Sequence, residues 1–388
     1  MSVEVTTALR DKITKIDWNF TTTETDYLTH NIHRYSGKYI PPIARCALEL
    51  ISDEGDTVLD PYVGSGTTLL EANLLNRHSI GVDINPLAIL IAAVKTTPIS
   101  DAKLNELQKY FTKIYSTIEL NESKQTTLLS KENQQFSKCF NSSKYIEDKW
   151  FQKWFSPPIL RKLVILHYHI KHYKDADCSR LALLSFSNIL RRCSNAHSGY
   201  PNVMFDGKKV NTVNVNRLFM KSLKTTCDMV KTLSGVIGPA NINIHIGDAQ
   251  KLQLEDETID AIITHPPYIG SVPYAEYGLL SLKWLGVDPR KLDEKITGGR
   301  RQSKTVVERF RNDYGKMLSE CYRVLKPGKK LFLMVGNPKV KGSVIDLVQM
   351  TEDLAHEAGF QIICKTFRTG MNRRANKMGA ETLLFFSR

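Results

Sequence analysis

The sequence predicts an α/β protein built on a doubly wound sheet, and three stretches predict it. The first is a short apolar strand, Thr57-Val58-Leu59, that runs into the Gly-rich turn Asp60-Pro61-Tyr62-Val63-Gly64-Ser65-Gly66-Thr67-Thr68 and then the helix-forming Leu69-Leu70-Glu71-Ala72-Asn73. That order lets backbone N–H groups and a helix N-terminus approach a ligand closely. The second is Ile80-Gly81-Val82, a strand closed by Asp83, where an acid is the expected partner of a ribose hydroxyl pair. The third is the apolar run from Ile259 to Ile263, which stops at Thr264-His265-Pro266-Pro267-Tyr268. Proline fixes φ and gives up its N–H, so this reads as a strand end feeding a rigid loop. With Gly247-Asp248-Ala249 after the strand at 242–246, four motifs fall at the carboxyl ends of strands, where open α/β sheets bind ligands.

The remaining elements follow from periodicity and breakers. Residues 1–28 form a polar lead-in, and HNIHRYSGKYIPP is a turn-rich stretch of aromatic, His and basic groups before the amphipathic IARCALELI. Helical spacing recurs in DAKLNELQKYFTKIYSTIEL and, after Pro157-Pro158, in ILRKLVILHYHI, with a polar loop between them. Trp150, Phe151, Trp154 and Phe155 are read as core. LALLSFSNILRRCSNAHSGYPNVM is a helix opening into a loop. The polar, basic GVDPRKLDEKITGGRRQSKTVVERF is read as a mobile loop. Then come a helix, a Lys-Pro-Gly turn and a strand over MLSECYRVLKPGKKLFLMVGNP, a helix at TEDLAHEAGF, and strands QIICKTF and ETLLFFS. Between those last strands RTGMNRRANKMG carries Arg368, Arg373, Arg374 and Lys377 without one acid.

Composition narrows the function classes. With 388 residues, 42% of them hydrophobic, the chain can bury a sizeable core. No run of about 18 apolar residues occurs, so neither a membrane span nor a signal peptide is expected, and the predicted location is the cytoplasm. Seven scattered cysteines without C-x-x-C spacing predict reduced thiols, no disulfide framework and no metal site. The formal charge of +13 points to a polyanion. Across 101–236 basic residues outnumber acidic ones two to one. No Gly-Lys-Ser/Thr is present, which excludes a Walker loop, and the glycines lack the third position of a dinucleotide fingerprint.

From HRYSGKYIPP through DPYVGSGTTLLEANLLNRHSIGVDINP, and again at the Pro-Pro-Tyr motif, the sequence resembles the DNA amino-methyltransferases that modify cytosine N4 or adenine N6. The resemblance implies a seven-stranded methyltransferase sheet (Rossmann-like) with an antiparallel final hairpin and a mostly helical insertion. It implies S-adenosylmethionine as cofactor, and double-stranded DNA and a cognate restriction endonuclease as partners. The division it suggests is a cofactor half at 1–98, a basic helical insertion with a target-recognition role at 99–236 and a catalytic half at 237–388. Cofactor contacts then fall on Asp60, Gly64, Ser65, Gly66, Thr67, Asp83 and Asp248, with His33, Tyr35 or Ser36 over the methionine part. Catalysis falls on His265, Pro266, Pro267 and Tyr268: two acceptors for the amine N–H bonds and a ring to stack on a flipped base. Arg191, Arg192, Asn195, Arg300, Arg301, Lys304, Arg373 and Arg374 are the expected nucleic-acid contacts. His265 departs from the family, which has Ser, Asp or Asn there, so the choice between cytosine N4 and adenine N6 rests on flanking sequence, which favours N4. Two alternatives stand beside this reading: an RNA guanine-N2 methyltransferase, whose family has similar motifs, and a module impaired by His265 that only binds cofactor or DNA.

Overall fold

The computed structural model describes residues 3–123, 144–200, 202–270, 273–299, 305–340, 342–369 and 380–388. Its strands in chain order are β1 (Thr57–Asp60), β2 (His78–Asp83), β3 (Ile242–Ile246), β4 (Ile259–Thr264), β5 (Leu325–Gly336), the small hairpin β6 (Lys339–Val340) and β7 (Ser343–Val344), then β8 (Gln361–Arg368) and β9 (Glu381–Ser387). Seven of them form one sheet in the order β3-β2-β1-β4-β5-β9-β8. The five strands β1 to β5 are parallel, and β9 is inserted antiparallel between β5 and β8. This is the doubly wound sheet and antiparallel final hairpin the sequence led us to expect. After β1 the chain builds outward through β2 and β3, then returns to place β4 on the other side of β1. The carboxyl ends of β1 and β4 therefore flank the switch point, where such sheets bind ligands.

Strand alternation sorts the apolar side chains onto two faces. Leu59, Ile262, Leu331, Leu333 and Leu384 meet Phe310, Met317 and Leu318 of the helix Val306–Val324 and Leu354 of the helix Leu347–Ala358. One residue along, Val58, Ala261, Ile263, Phe332 and Leu383 meet Ile43, Ala47 and Leu48 of the helix Pro41–Ile51. β4 is buried at every position, as a central parallel strand requires.

The insertion between β2 and β3 is helical where it is described: Asp101–Ser123, Pro157–Lys171, Ala176–Cys193 and Val215–Ser234 are its long elements. Local chemistry sets their starts. Pro157 occupies the first turn of one, and the Asp175 carboxylate accepts the Asp177 and Cys178 N–H groups at the head of the next. Phe151, Trp154 and Phe155 are buried, as expected from sequence. The insertion shares its core with Leu87, Leu90, Ile91 and Val94 of the helix Pro86–Thr96.

Two segments differ from the sequence reading. The polar lead-in contains a helix, Val3–Lys15, followed by Trp18, which is 1% exposed and stacks on Phe332 with ring centroids 6.2 Å apart. Leu9, Ile13 and Trp18 are too sparse to declare an amphipathic face, yet they suffice to cover one face of the sheet. The stretch read as a mobile loop is also partly ordered. Pro289–Lys295 is a helix capped by Asp288, and VVERF opens the helix Val306–Val324. No helix among the described residues is long and apolar enough to cross a membrane.

Candidate active site

A cleft opens at the switch point, and four strand ends supply its wall: Asp60 ending β1, Asp83 ending β2, Asp248 after β3, and His265 and Pro267 after β4. It takes in about 760 Å³ of space outside atoms, part of it open to solvent.

Asp60 ties the switch point together. Its carboxylate is 3% exposed and accepts from Thr264 Oγ1 at 2.6 Å, the Tyr62 N–H at 3.2 Å and Thr68 Oγ1, joining β1, β4 and the helix Thr67–Leu74. Burial lifts its pKa to about 6, against the pull of these donors. Asp83 is held differently. Its two oxygens accept the N–H groups of Gly64 and Asn85, each at 2.9 Å, so the acid at the end of β2 braces the Gly-rich turn after β1. Burial raises its carboxyl to about 6 as well. Asp248 accepts the Gln250 N–H at 3.0 Å and stays exposed at the rim.

The Gly-rich turn has a different purpose at each position. Gly64 has φ +48°, and a Cβ there would stand 3.1 Å from the Tyr35 ring, so Tyr35 lies directly over the turn. Gly66 has φ +77°, and a Cβ there would meet the Ala92 Cβ at 2.9 Å; it permits helix packing and does not line the cleft. Ser65 lines the cleft and accepts from Lys95 Nζ at 3.2 Å. Lys95 is fully buried, which pushes its pKa well down. Thr67 lines the cleft at the helix N-terminus, where no side chain caps the first turn, and its buried Oγ1 has no hydrogen-bond partner. An orphaned donor beside uncapped helix N–H groups suits an anionic ligand group.

Of the HRYSGKY stretch, Tyr35 reaches the cleft, whereas Ser36 and His33 line a neighbouring cavity against the insertion, where His33 Nε2 meets Ser187 Oγ at 2.8 Å. Gly37, Lys38 and Tyr39 line the cleft instead. Glu71 positions this stretch and was missed from sequence. It is 0% exposed, takes the Tyr27 hydroxyl at 2.6 Å and His30 Nε2 at 2.7 Å, and lies 3.4 Å from Arg45. The one signal available was an acid inside the apolar run Leu69-Leu70-Glu71-Ala72.

At the end of β4, His265 and Pro267 face the cleft and Pro266 is buried behind them. The stacking expected of Tyr268 is not the position found: it is 2% exposed and packs in the core with Ile262 and Phe310. The reason lies in its hydroxyl, which contacts His265 Nε2 at 2.8 Å and Glu381 Oε1 at 3.2 Å. The rings that do line the cleft are Tyr35, Tyr39, Tyr62 and Tyr274. Burial lowers the His265 pKa, with the Glu381 charge opposing.

The expected nucleic-acid contacts divide into three groups. Arg192 is exposed on the insertion. Arg191 and Asn195 instead hold the loop after the helix Ala176–Cys193: Arg191 donates to the carbonyls of His197 and Asn202, both at 3.1 Å, and Asn195 to that of Lys153 at 3.1 Å. A loop turning over a helix end needs donors for its carbonyls, and these two supply them. Arg300, Arg301, Lys304, Arg373 and Arg374 lie outside the described residues. Arg368, read as part of the last basic loop, is nearly buried and pairs with Glu381 at 3.4 Å. No cluster of metal-ligating side chains occurs among the described residues.

Residues 11–94 match a family described as DNA methylase. The Type II methyltransferase M.MvaI of Kocuria varians is 25% identical over 375 residues, covering 83% of this chain and 80% of its own. M.MjaII of Methanocaldococcus jannaschii, also a Type II methyltransferase, is 25% identical over 407 residues, covering 84% and 76%. A tRNA (guanine(10)-N2)-dimethyltransferase of Methanothermobacter thermautotrophicus is 40% identical over 52 residues, 13% of this chain and 16% of its own. Among solved structures, a SAM-dependent methyltransferase of Methanosarcina mazei aligns over 88% of this chain and 96% of its own, at 11% identity and a TM-score of 0.35.

Proposed function

We propose that the chain is an S-adenosylmethionine-dependent DNA amino-methyltransferase, a reading supported by the DNA methylase match over residues 11–94 and by the Type II methyltransferase relatives, and that it methylates an exocyclic amine of a base in double-stranded DNA, cytosine N4 before adenine N6. The observation that carries this is the convergence of Asp83, the Gly-rich turn, His265 and Pro267 on one switch-point cleft.

S-adenosylmethionine supplies a methyl group activated on a sulfonium. The unpartnered Thr67 Oγ1 and the uncapped helix start beside it suit the carboxylate of its methionine part. Each Asp83 oxygen already accepts one backbone N–H and keeps a lone pair for a ribose hydroxyl. Asp248, which lines the rim, accepts from the adenine amine in this reading. The acceptor nitrogen's lone pair is delocalised into its base, so holding it tetrahedral and in line is the protein's task. A carbonyl of the Pro266-Pro267 segment and His265 take its two N–H bonds in this reading. Methyl transfer from a bound S-adenosylmethionine, whose sulfur would keep the electron pair of the broken bond, would leave a surplus proton on the amine, and the acceptor beside it would carry that proton away. An amine inside a duplex stack is out of reach, so the base must leave the stack. The insertion at 99–236, with its basic excess, is proposed to read the target. The Type II names of the relatives motivate a cognate endonuclease as companion.

Modification sequencing of DNA from cells expressing the chain tests this. N4-methylcytosine in one short sequence context is expected; unmodified DNA alongside methylated RNA would replace this reading with the guanine-N2 alternative, which the short tRNA-enzyme match motivates.

A pH dependence follows from Asp83. Its carboxyl, near 6, must be ionised to accept two hydroxyls. Cofactor affinity is therefore level above pH 7 and weakens below about 6, by up to about tenfold per pH unit for one linked proton. Calorimetric titrations between pH 5 and 8 check this, and Asp83→Asn is expected to bind weakly at every pH with most of the slope gone.

A further inference from the structure

The hydroxyl of Tyr268 stands between two groups that both want its single proton. Glu381 Oε1 is 3.2 Å away and His265 Nε2 is 2.8 Å away. Glu381 opens β9 directly across from Arg368 on β8, and Arg368 Nη1 lies 3.4 Å from its second oxygen, so a guanidinium pairs with the carboxylate. Were the tyrosine proton turned toward His265, bare phenol lone pairs would face that carboxylate at 3.2 Å. With the proton on Glu381 the hydroxyl oxygen becomes an acceptor, and the partner that fits is an N–H on His265 Nε2. A neutral imidazole carries one proton, so Nδ1 is then the acceptor. That nitrogen is buried and has no hydrogen-bond partner, on a side chain that lines the cleft.

We propose that Glu381, acting through Tyr268, is a positioning residue that fixes His265 in the Nε2–H tautomer and so presents Nδ1 as the acceptor for the substrate amine. The last part rests on the methyltransferase reading above; the tautomer does not. The arrangement gives His265 the acceptor character that a carboxylate, amide or hydroxyl oxygen has at this place in related motifs, and it explains why Tyr268 is held in the core by its hydroxyl. His265 also faces the Tyr39 ring, 5.6 Å away edge to face, the Arg368 charge, which disfavours a second proton, and the Gly37 carbonyl, which competes with Tyr268 for the imidazole proton. Without Glu381, Tyr268 is free to donate to Nε2 and the imidazole proton moves to Nδ1.

Long-range nitrogen–carbon spectra of histidine-labelled protein at pH 7.5 read the tautomer directly, the His265 signals being those lost in His265→Ser. The parent is expected to show Nε2–H. Glu381→Leu is expected to show Nδ1–H, with kcat lowered and the cofactor Kd unchanged, and Glu381→Gln, which keeps an acceptor oxygen, to retain the parent tautomer. Tyr268→Phe removes the acceptor of Nε2–H and is expected to give a mixture. An Nδ1–H tautomer in the parent overturns the proposal even if every variant fails to fold, and so does a Glu381→Leu protein that folds with Nε2–H unchanged. Nε2–H in a protein that methylates nothing leaves the tautomer standing and removes the methyltransferase reading instead.

Discussion

Replacing His265 with alanine is expected to slow methyl transfer to DNA by about a hundredfold or more, the usual scale for losing one positioned proton acceptor. Cofactor affinity should change little, because His265 sits after β4 and the contacts assigned to S-adenosylmethionine come from the ends of β1, β2 and β3 and from Tyr35. Single-turnover rates and equilibrium binding on the same preparation check both halves. His265→Ser sharpens the comparison. If the imidazole had merely damaged an ancestral site, serine would raise the rate well above the parent; if His265 is the working acceptor, serine gives no more than the parent rate. The acid limb of the rate also follows from burial. An unperturbed histidine would lose acceptor capacity near pH 6.5, and the sequence alone suggests that value. Burial lowers the His265 pKa, so the neutral form persists below 6.5 and the rate should fall only at lower pH.

Replacing Asp60 with alanine is expected to destabilise the protein by about 3–5 kcal/mol, the largest stability effect at this site. It removes one shared acceptor from the Thr68 and Thr264 hydroxyls and from the Tyr62 N–H, three donors at the junction of β1, β4 and the following helix, of which Thr68 keeps other partners, the Tyr39 hydroxyl and the Ile263 carbonyl. A buried donor left unsatisfied costs roughly 1–3 kcal/mol, and three that share one carboxylate will not add fully. Denaturant unfolding checks the magnitude. Asp60→Asn should lose less, since its amide oxygen still accepts while its NH2 meets the second hydroxyl. Although Asp60 also lines the cleft, its commitments to Thr68, Thr264 and Tyr62 make it first a brace for the switch point.

How far the sequence could be read depended on whether a residue's partner was local. Asp83 and the Gly-rich turn were legible because the whole unit is one strand, one turn and one helix, and its demands are met within a short stretch. Likewise Thr264 to Tyr268 announced a strand end, since two prolines cannot continue a central strand. The partner of Glu71 is a pair of side chains 41 and 44 residues away, at His30 and Tyr27, which no periodicity reports. Tyr268 was misplaced for the same reason: its hydroxyl is claimed by Glu381, 113 residues on, through a sheet register that only the folded chain creates. The glycine at 66, assigned to the cofactor along with its neighbours, also meets a packing demand that only the fold shows, a close approach to Ala92. Charge was the weakest guide. Arg191 and Asn195 belong to a basic region yet hold the insertion's own loop, and Arg368 is paired to Glu381.

The most direct test of the central claim is transfer of tritium from methyl-labelled S-adenosylmethionine, with purified protein, into mixed-sequence duplex DNA and, in parallel, into total tRNA. Label in the DNA that is absent from the tRNA and falls about a hundredfold in His265→Ala is the predicted result. Label confined to tRNA, or none in either acceptor from a protein that binds the cofactor, would contradict it.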